Sequence, residues 1–396
     1  MGYILIVSCV YPPEPVVSAR LSADIYKSLK DAGRTVRVLH PKPTRPNGYK
    51  FNENIQVDDD EIVASSYTCP QSNLLGRFRE SWSFGKATYA YIKKNHEEIE
   101  SIYTNTWPLF GQYHLARAAK KYRIPYFIHI QDIYPESYSV KMPKLIGMGL
   151  FRGLLPMDKY VLRNAKGVIG ISPAMVSYLS QSRGVESSKF KLVRNWQDDE
   201  NYIEAYKPVE NTSDVCEIMY LGSINPTANV SLIINALKDL DKSKFHLSVI
   251  GNGPDKQHCE ELASKIGLDV TFDAVSPEQV ASKQSEAETL LLCLKKGVAK
   301  KATPSKLTAY MLSGRPIIAS VDLDSDCANI IREAGCGIVV EPENMDALSN
   351  AIQTMSERSE QEKNEKGRAA FEYAKQYLSK KSNLKIITDL LIGENQ

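Results

Sequence analysis

The chain has 396 residues, 43% of them hydrophobic and 24% charged, and 49 Lys and Arg against 47 Asp and Glu leave a net charge of +2. At roughly 100–200 residues per domain the length predicts two or three domains, and the ordinary composition excludes wholesale disorder, a collagen-like or coiled-coil chain and a disulfide scaffold. A dedicated nucleic-acid binder would be more basic, so no nucleic-acid partner is expected, although a local basic patch fits within so neutral a total.

The N-terminal residues MGYILIVSCVYPPEP are apolar but short. They lack a basic leader and run straight into a turn, which predicts a first strand over Tyr3–Ser8 and no secretion signal. A rigid loop, Cys9–Pro15, follows, then a helical pattern over Arg20–Ala32 and a second apolar run over Thr35–His40. Residues 72–98 fall outside this rhythm. It resumes with a strand over Ser101–Asn105, a helix over Pro108–Tyr122 and a strand over Tyr126–Asp132. Lys141–Arg163 mixes Leu145, Ile146, Met148, Leu150, Phe151, Leu154 and Leu155 with Lys144, Arg152 and Lys159. That composition suits a helix lying on an anionic membrane, and equally a core helix with a basic outer face. Pro143, Gly147, Gly149, Gly153 and Pro156 argue against a regular helix there. Strand signals over Gly167–Ser172 and Phe190–Asn195, with a helix over Pro173–Arg183, complete the first half.

Asn195–Val215 is polar, has no apolar period and reads as a linker. Beyond it, six further apolar runs stand at Cys216–Gly222, Phe245–Gly251, Asp269–Ala274, Thr289–Leu294, Pro316–Ser320 and Gly337–Glu341. Helical patterns separate them at Val230–Leu240, Pro254–Ile266, Ser305–Ser313 and Asp346–Met355, and Ser359–Leu391 is helical after the last strand. Near-continuous apolar strands alternating with amphipathic helices predict α/β architecture with parallel sheets. Twelve strands exceed one ordinary sheet, so two Rossmann-like domains with a cleft between them are expected: 1–200, 201–375, and a C-terminal helix over 376–396 that could cross back to the first. Ligands in such sheets bind outside the carboxyl ends of the strands.

The seven cysteines are odd in number and widely spaced, and no C-x-x-C occurs. Zinc ligation and disulfides are therefore not expected, and a reducing cytoplasm fits best. No apolar run approaches the ~20 residues of a spanning helix.

The stretch most informative for chemistry is Lys295–Ser320. Lys295, Lys296, Lys300, Lys301 and Lys306 fall within twelve residues, followed by Thr303-Pro304-Ser305-Lys306 as a helix start with Thr303 or Ser305 as cap. The unpaired N–H groups and dipole of a helix N-terminus suit a phosphate. A solvated loop before a well-capped helix reads equally well. Leu221-Gly222-Ser223 and Gly251-Asn252-Gly253 are glycine turns after strands, where backbone and ligand can approach closely. In the first half, Gln131, Asp132 and Glu136 follow a strand end. A carboxylate there could bind a hydroxyl or act as a base, or simply cap a helix or form a salt bridge. His129, inside the apolar strand, reads as a core histidine.

QDIYPES, RNW, YLGSI, IGNGPD and TPSKLTAYMLSGRPIIAS, in this order, resemble family 4 retaining glycosyltransferases of the GT-B fold. Within that family the chain is similar to the bacterial O-antigen and capsule branch that includes the WbuB-type N-acetyl-L-fucosamine transferases. The resemblance implies a nucleotide-sugar donor, first a UDP-sugar, held by the second domain, and a lipid-linked saccharide acceptor held by the first. It implies transfer without a metal or other cofactor, at the cytoplasmic side of the plasma membrane. A peripheral contact through 141–163 would fit that location. By the same resemblance Ser305 and Lys306, with Thr303, Pro304 and Lys301, would meet the donor phosphates. Gly222, Ser223, Gly251 and Gly253 would line the nucleotide, and Arg20, Pro13, Gln131, Asp132 and Glu136 would face the acceptor. Lys306, Asp132 and Glu136 are the candidate catalytic residues. The chain departs from the family where two glutamates spaced E-x7-E are usual: Lys301 and Ala309 stand there. Those departures motivate a rival reading, a non-catalytic partner of another transferase, and a nucleotide-sugar epimerase would share the two-domain fold.

Overall fold

The computed structural model describes residues 2–45, 58–69, 74–105, 109–139, 142–196, 199–208, 215–300 and 304–393. The chain divides into two compact units, Met1–Arg194 with Leu384–Gln396, and Asn195–Asn383.

The first unit is built on β1 (Tyr3–Val7), β2 (Val36–Pro41), β3 (Glu61–Ala64), β4 (Ile99–Asn105), β5 (Tyr126–Ile130), β6 (Gly167–Gly170) and β7 (Phe190–Leu192). These form one sheet in the order β3-β2-β1-β4-β5-β6-β7, and every neighbouring pair is parallel. β1, β5 and β6 are buried along their whole length, as strands covered on both faces must be. The second unit carries β8 (Cys216–Leu221), β9 (Phe245–Ile250), β10 (Val270–Asp273), β11 (Thr289–Cys293), β12 (Ile317–Ser320) and β13 (Gly337–Val340). Its sheet runs β10-β9-β8-β11-β12-β13, again all parallel. In each sheet the strand order reverses once, between β1 and β4 and between β8 and β11. These switch points are where doubly wound sheets open a crevice at their carboxyl edge.

The twelve expected strands are present, each within a few residues of its predicted span, and β3 is a thirteenth. It is four residues long, lies at the sheet edge and is only partly covered, so it lacks the continuous apolar run that marks the others. Residues 72–98, outside the strand–helix rhythm, contain a long helix, Leu74–Asn95, which buries Phe84 and Ile92. The glycines and prolines of 141–163 do not prevent a helix over Lys144–Asn164 that runs through Pro156. Burial of Val161 and Leu162 beyond the proline offsets the one backbone hydrogen bond a proline removes. Residues 199–206 of the polar segment expected as a linker are packed rather than free. They hold a short helix, Glu200–Ala205; the buried Asp199 carboxylate accepts the Lys380 N–H at 2.6 Å, and Tyr206 stacks on Phe371 at 4.1 Å. The helical tail is two helices, Glu360–Tyr377 and Lys380–Ile392. From Leu384 onward the second belongs to the first unit, where Ile387 is buried and the Thr388 hydroxyl lies 2.8 Å from that of Ser28.

All seven cysteines are free and buried. Among the described residues no helix is long and apolar enough to cross a membrane.

Candidate functional site

In the second unit the carboxyl end of β8 is clamped from behind. The Tyr310 hydroxyl receives the Leu221 N–H at 2.8 Å and donates to the Leu221 carbonyl at 3.0 Å. The chain then turns at Gly222, whose φ of +140° is a conformation that a side chain resists. Gly222 donates its N–H to the Ile250 carbonyl at 2.8 Å, and Ile224 donates to Asn252 at 2.9 Å. The two glycine turns thus continue the β8–β9 pairing beyond the strands. Their separation is set by Gly251, because a Cβ there would stand 2.1 Å from the Gly222 carbonyl oxygen. Gly253 lies against the Ile224 carbonyl in the same manner. Ser223 is held by its backbone, with its carbonyl accepting the Tyr220 hydroxyl at 2.6 Å.

Into this corner reaches Lys306. It stands on the first turn of a helix, Ser305–Leu312, that starts after an extended Pro304. Pro304 therefore occupies the cap position expected for Thr303 or Ser305. The backbone of Ser305 opens the helix; Thr303 and Lys301 lie outside the described residues. The Lys306 ammonium sits 4.2 Å over the Tyr220 ring and donates to the Tyr220 hydroxyl. A Cβ at Gly222 would lie 2.2 Å from its Cε. Burial pushes the Lys306 amine down to about 8, since removing water disfavours the charged form. A desolvated ammonium at a switch point, beside backbone turns open enough only for glycine, is arranged to receive an anion.

The lysine-rich stretch does not converge as one patch. Lys300 pairs with Asp324 at 2.6 Å on the surface, and Lys295 and Lys296 are exposed. Of the described lysines in the stretch, Lys306 is the one placed against the Gly222 turn.

In the first unit, the Gln131 side-chain oxygen accepts the Ser18 hydroxyl at 2.7 Å, which ties the end of β5 to the helix Val17–Asp31. Pro13 lies in the loop after β1 with a cis bond to Pro12. Asp132 and Arg20 are exposed. Glu136 is engaged elsewhere. Arg183, fully buried, donates to both its carboxylate oxygens at 2.7 Å, and the Tyr178 hydroxyl adds a third contact at 2.6 Å. The same guanidinium donates to Asp158 at 2.6 Å and to the Tyr134 carbonyl at 3.0 Å. Glu136 is thus part of the ion-pair cluster that holds the 131–139 segment. His129 is a core residue, its Nδ1 2.8 Å from the Tyr103 hydroxyl.

Two polar groupings of this unit escape a linear reading. Arg45 donates to the buried Glu80 and to the Cys9 carbonyl, at 2.6 and 3.0 Å, while Glu14 accepts the N–H groups of Thr44 and Arg45. At the β1–β4 switch point the Asn105 amide donates to the Ser8 and Ser22 hydroxyls at 2.9 and 3.0 Å. The only linear hint was a polar residue ending each of two apolar strands.

Residues 18–196 match the family described as glycosyl transferase 4-like domain, and residues 203–375 match glycosyl transferases group 1. No curated protein matches the chain. Among solved structures it is similar to sucrose-phosphate synthase from Thermosynechococcus elongatus, at 17% identity over 99% of both chains with a TM-score of 0.64. It is similar to Anabaena HepE in complex with UDP, at 15% identity over 99% of this chain and 100% of that one, TM-score 0.61. It is also similar to the lipopolysaccharide outer core galactosyltransferase WaaB, at 14% identity over 100% of both, TM-score 0.67. At these identities the likeness is one of fold, the two-domain GT-B architecture.

Proposed function

The chain is a glycosyltransferase of the GT4 type, and on that premise we propose that it moves a sugar from a nucleotide-sugar to a lipid-linked saccharide in surface polysaccharide synthesis. The observation that carries the donor half of this reading is the Lys306 ammonium fixed at the Gly222 turn. The UDP bound to the HepE relative supports a UDP-sugar as donor, and an N-acetylated deoxyhexosamine is the sugar that the O-antigen branch suggests. Lys306 and the first N–H groups of its helix, with Lys301, Thr303, Pro304 and Ser305 at the phosphates, neutralise the charge that develops on the leaving diphosphate, the electrostatic form of catalysis. Gly222, Ser223, Gly251 and Gly253 line the nucleotide.

Transfer proceeds with retention and without a metal. The acceptor oxygen bonds to the anomeric carbon on the face from which the diphosphate leaves, and its proton passes to a phosphate oxygen of the donor. Gln131, Asp132, Arg20 and Pro13 orient the acceptor. Glu136, committed to Arg183, positions that segment rather than touching substrate. The protein works at the cytoplasmic face of the membrane, held there by the helix Lys144–Asn164.

Lys306→Ala is expected to lower transfer by about 2–3 kcal/mol, the value of one oxyanion-type donor, read as the rate of sugar transfer from UDP-sugar to a membrane-extracted acceptor. Near-normal turnover would remove Lys306 from the mechanism. A thermal-shift series with UDP-, GDP- and dTDP-sugars identifies the base, because a ligand bound to the folded chain raises its apparent stability.

A further inference from the structure

We propose that Tyr220 is a positioning residue that holds the Lys306 ammonium for the donor diphosphate, so that anion binding is coupled to protonation of that amine. The inference rests on the donor-site reading above and deepens it. Tyr220 and Lys306 are 86 positions apart, on β8 and on the helix after β11, yet the tyrosine hydroxyl serves both: it accepts from the ammonium and donates to the Ser223 carbonyl at 2.6 Å. The ring beneath the ammonium is fully buried and supplies a cation–π contact at 4.2 Å. Ammonium, ring and glycine turn are therefore one rigid unit; a phenylalanine would keep the ring and lose the tether.

Among the described residues, no carboxylate acts on the Lys306 ammonium; Asp255, whose N–H donates to the Ile224 carbonyl at 3.2 Å, bears on Cys259 instead. From β11, the Cys293 thiol is pushed up to about 12 by burial. From the helix Lys256–Ile266, Cys259 beside the Tyr220 hydroxyl is pushed up to about 11. The Tyr220 and Tyr310 hydroxyls are raised by burial beyond their ordinary range. Lys306, brought down to about 8, is partly neutral just above that pH. A diphosphate brings the missing negative charge, which favours the ammonium and draws a proton in.

The test is calorimetric titration of the full chain with UDP, and with inorganic pyrophosphate, at pH 8.5 in two buffers of different ionisation enthalpy. With an amine near 8, the wild type takes up about 0.7 proton per UDP bound. Tyr220→Phe should weaken UDP binding roughly five- to tenfold and at least halve the uptake, because the released side chain reaches water and its ordinary range. Its thermal midpoint reports that it is folded. In a Lys306→Met background the same tyrosine change should cost no further affinity, the signature of a residue acting through its neighbour. Unchanged affinity and uptake in Tyr220→Phe, or an equal loss in the Lys306→Met background, overturns the assignment while the donor site stands. Lys306→Met binding UDP as tightly as the wild type would instead overturn the donor-site reading.

Discussion

His129 is fully buried and Lys306 partly so, and burial has different consequences for each. His129 has no exposed surface, and burial pushes its imidazole down to about 4, so the fold admits only the neutral ring. A histidine with a depressed folded value contributes stability that is fully present above its unfolded value, ~6.5, and is lost as pH falls toward 4, because the unfolded chain then binds the extra proton. Between pH 7 and pH 5 the wild type should lose about 2 kcal/mol that His129→Gln does not lose, read as the difference between their urea-unfolding free energies. Parallel pH curves for the two proteins would remove His129 as the cause. Lys306, by contrast, is partly exposed beside the Gly222 turn, and its depressed value is one that an adjacent anion would raise. The sequence marks both residues, one by its apolar neighbours and one by its place before a helix. It does not show that Glu136 is taken by Arg183, 47 positions away, since chain distance conceals an ion pair formed across two elements.

Equal substitutions in the two glycine turns should have unequal effects. A methyl at Gly251 meets the Gly222 carbonyl oxygen at 2.1 Å, a backbone obstacle that cannot swing aside. Gly251→Ala should therefore cost stability, about 2–4 kcal/mol in the range of forced backbone strain plus overpacking. A methyl at Gly222 meets the end of the Lys306 side chain, which can move. Gly222→Ala should keep more of the fold, with only the ~1–3 kcal/mol of a strained φ, while losing donor affinity at least tenfold. Chemical denaturation paired with UDP titration separates the two, and an order reversed between the variants would count against this account of the turn. The strands themselves were legible because a parallel strand covered on both faces must be apolar throughout. What the pattern hid were elements stabilised by context. β3 is an edge with one partner. Leu74–Asn95 mixes aromatic, basic and polar residues around its circumference. Lys144–Asn164 carries glycines and a proline that tertiary packing tolerates. In the second sheet, Glu217, His246 and Thr271 bond in series across β8, β9 and β10 at 2.5 and 2.9 Å. This polar ladder is invisible until the strand order is known.

At the scale of the whole molecule, a net charge of +2 gives no general attraction to an anionic surface, so any membrane attachment has to be local. The N-terminal turns of the helix Lys144–Asn164 provide such a place: Leu145, Ile146 and Met148 are 78%, 60% and 43% exposed. Lys144 and Arg152 are exposed on the same helix. Three apolar side chains entering the headgroup boundary contribute about 1.5–3 kcal/mol each at full burial, and each nearby cation adds ~1 kcal/mol against anionic lipid. Together they support reversible attachment without a spanning helix. In flotation with vesicles containing about one-third anionic lipid, the full chain should rise with the lipid, and half-molar salt should weaken the association by screening the lysine and arginine contribution. Replacing Leu145, Ile146 and Met148 together by Ser should cut the bound fraction at least tenfold. The helix itself should survive, because its buried residues Asp158, Val161 and Leu162 lie at the other end and Gly147, buried in the N-terminal turns, is left unchanged. Flotation of the triple variant equal to the wild type would assign the contact to another surface. Failure of the wild type to float would remove this helix as a membrane contact.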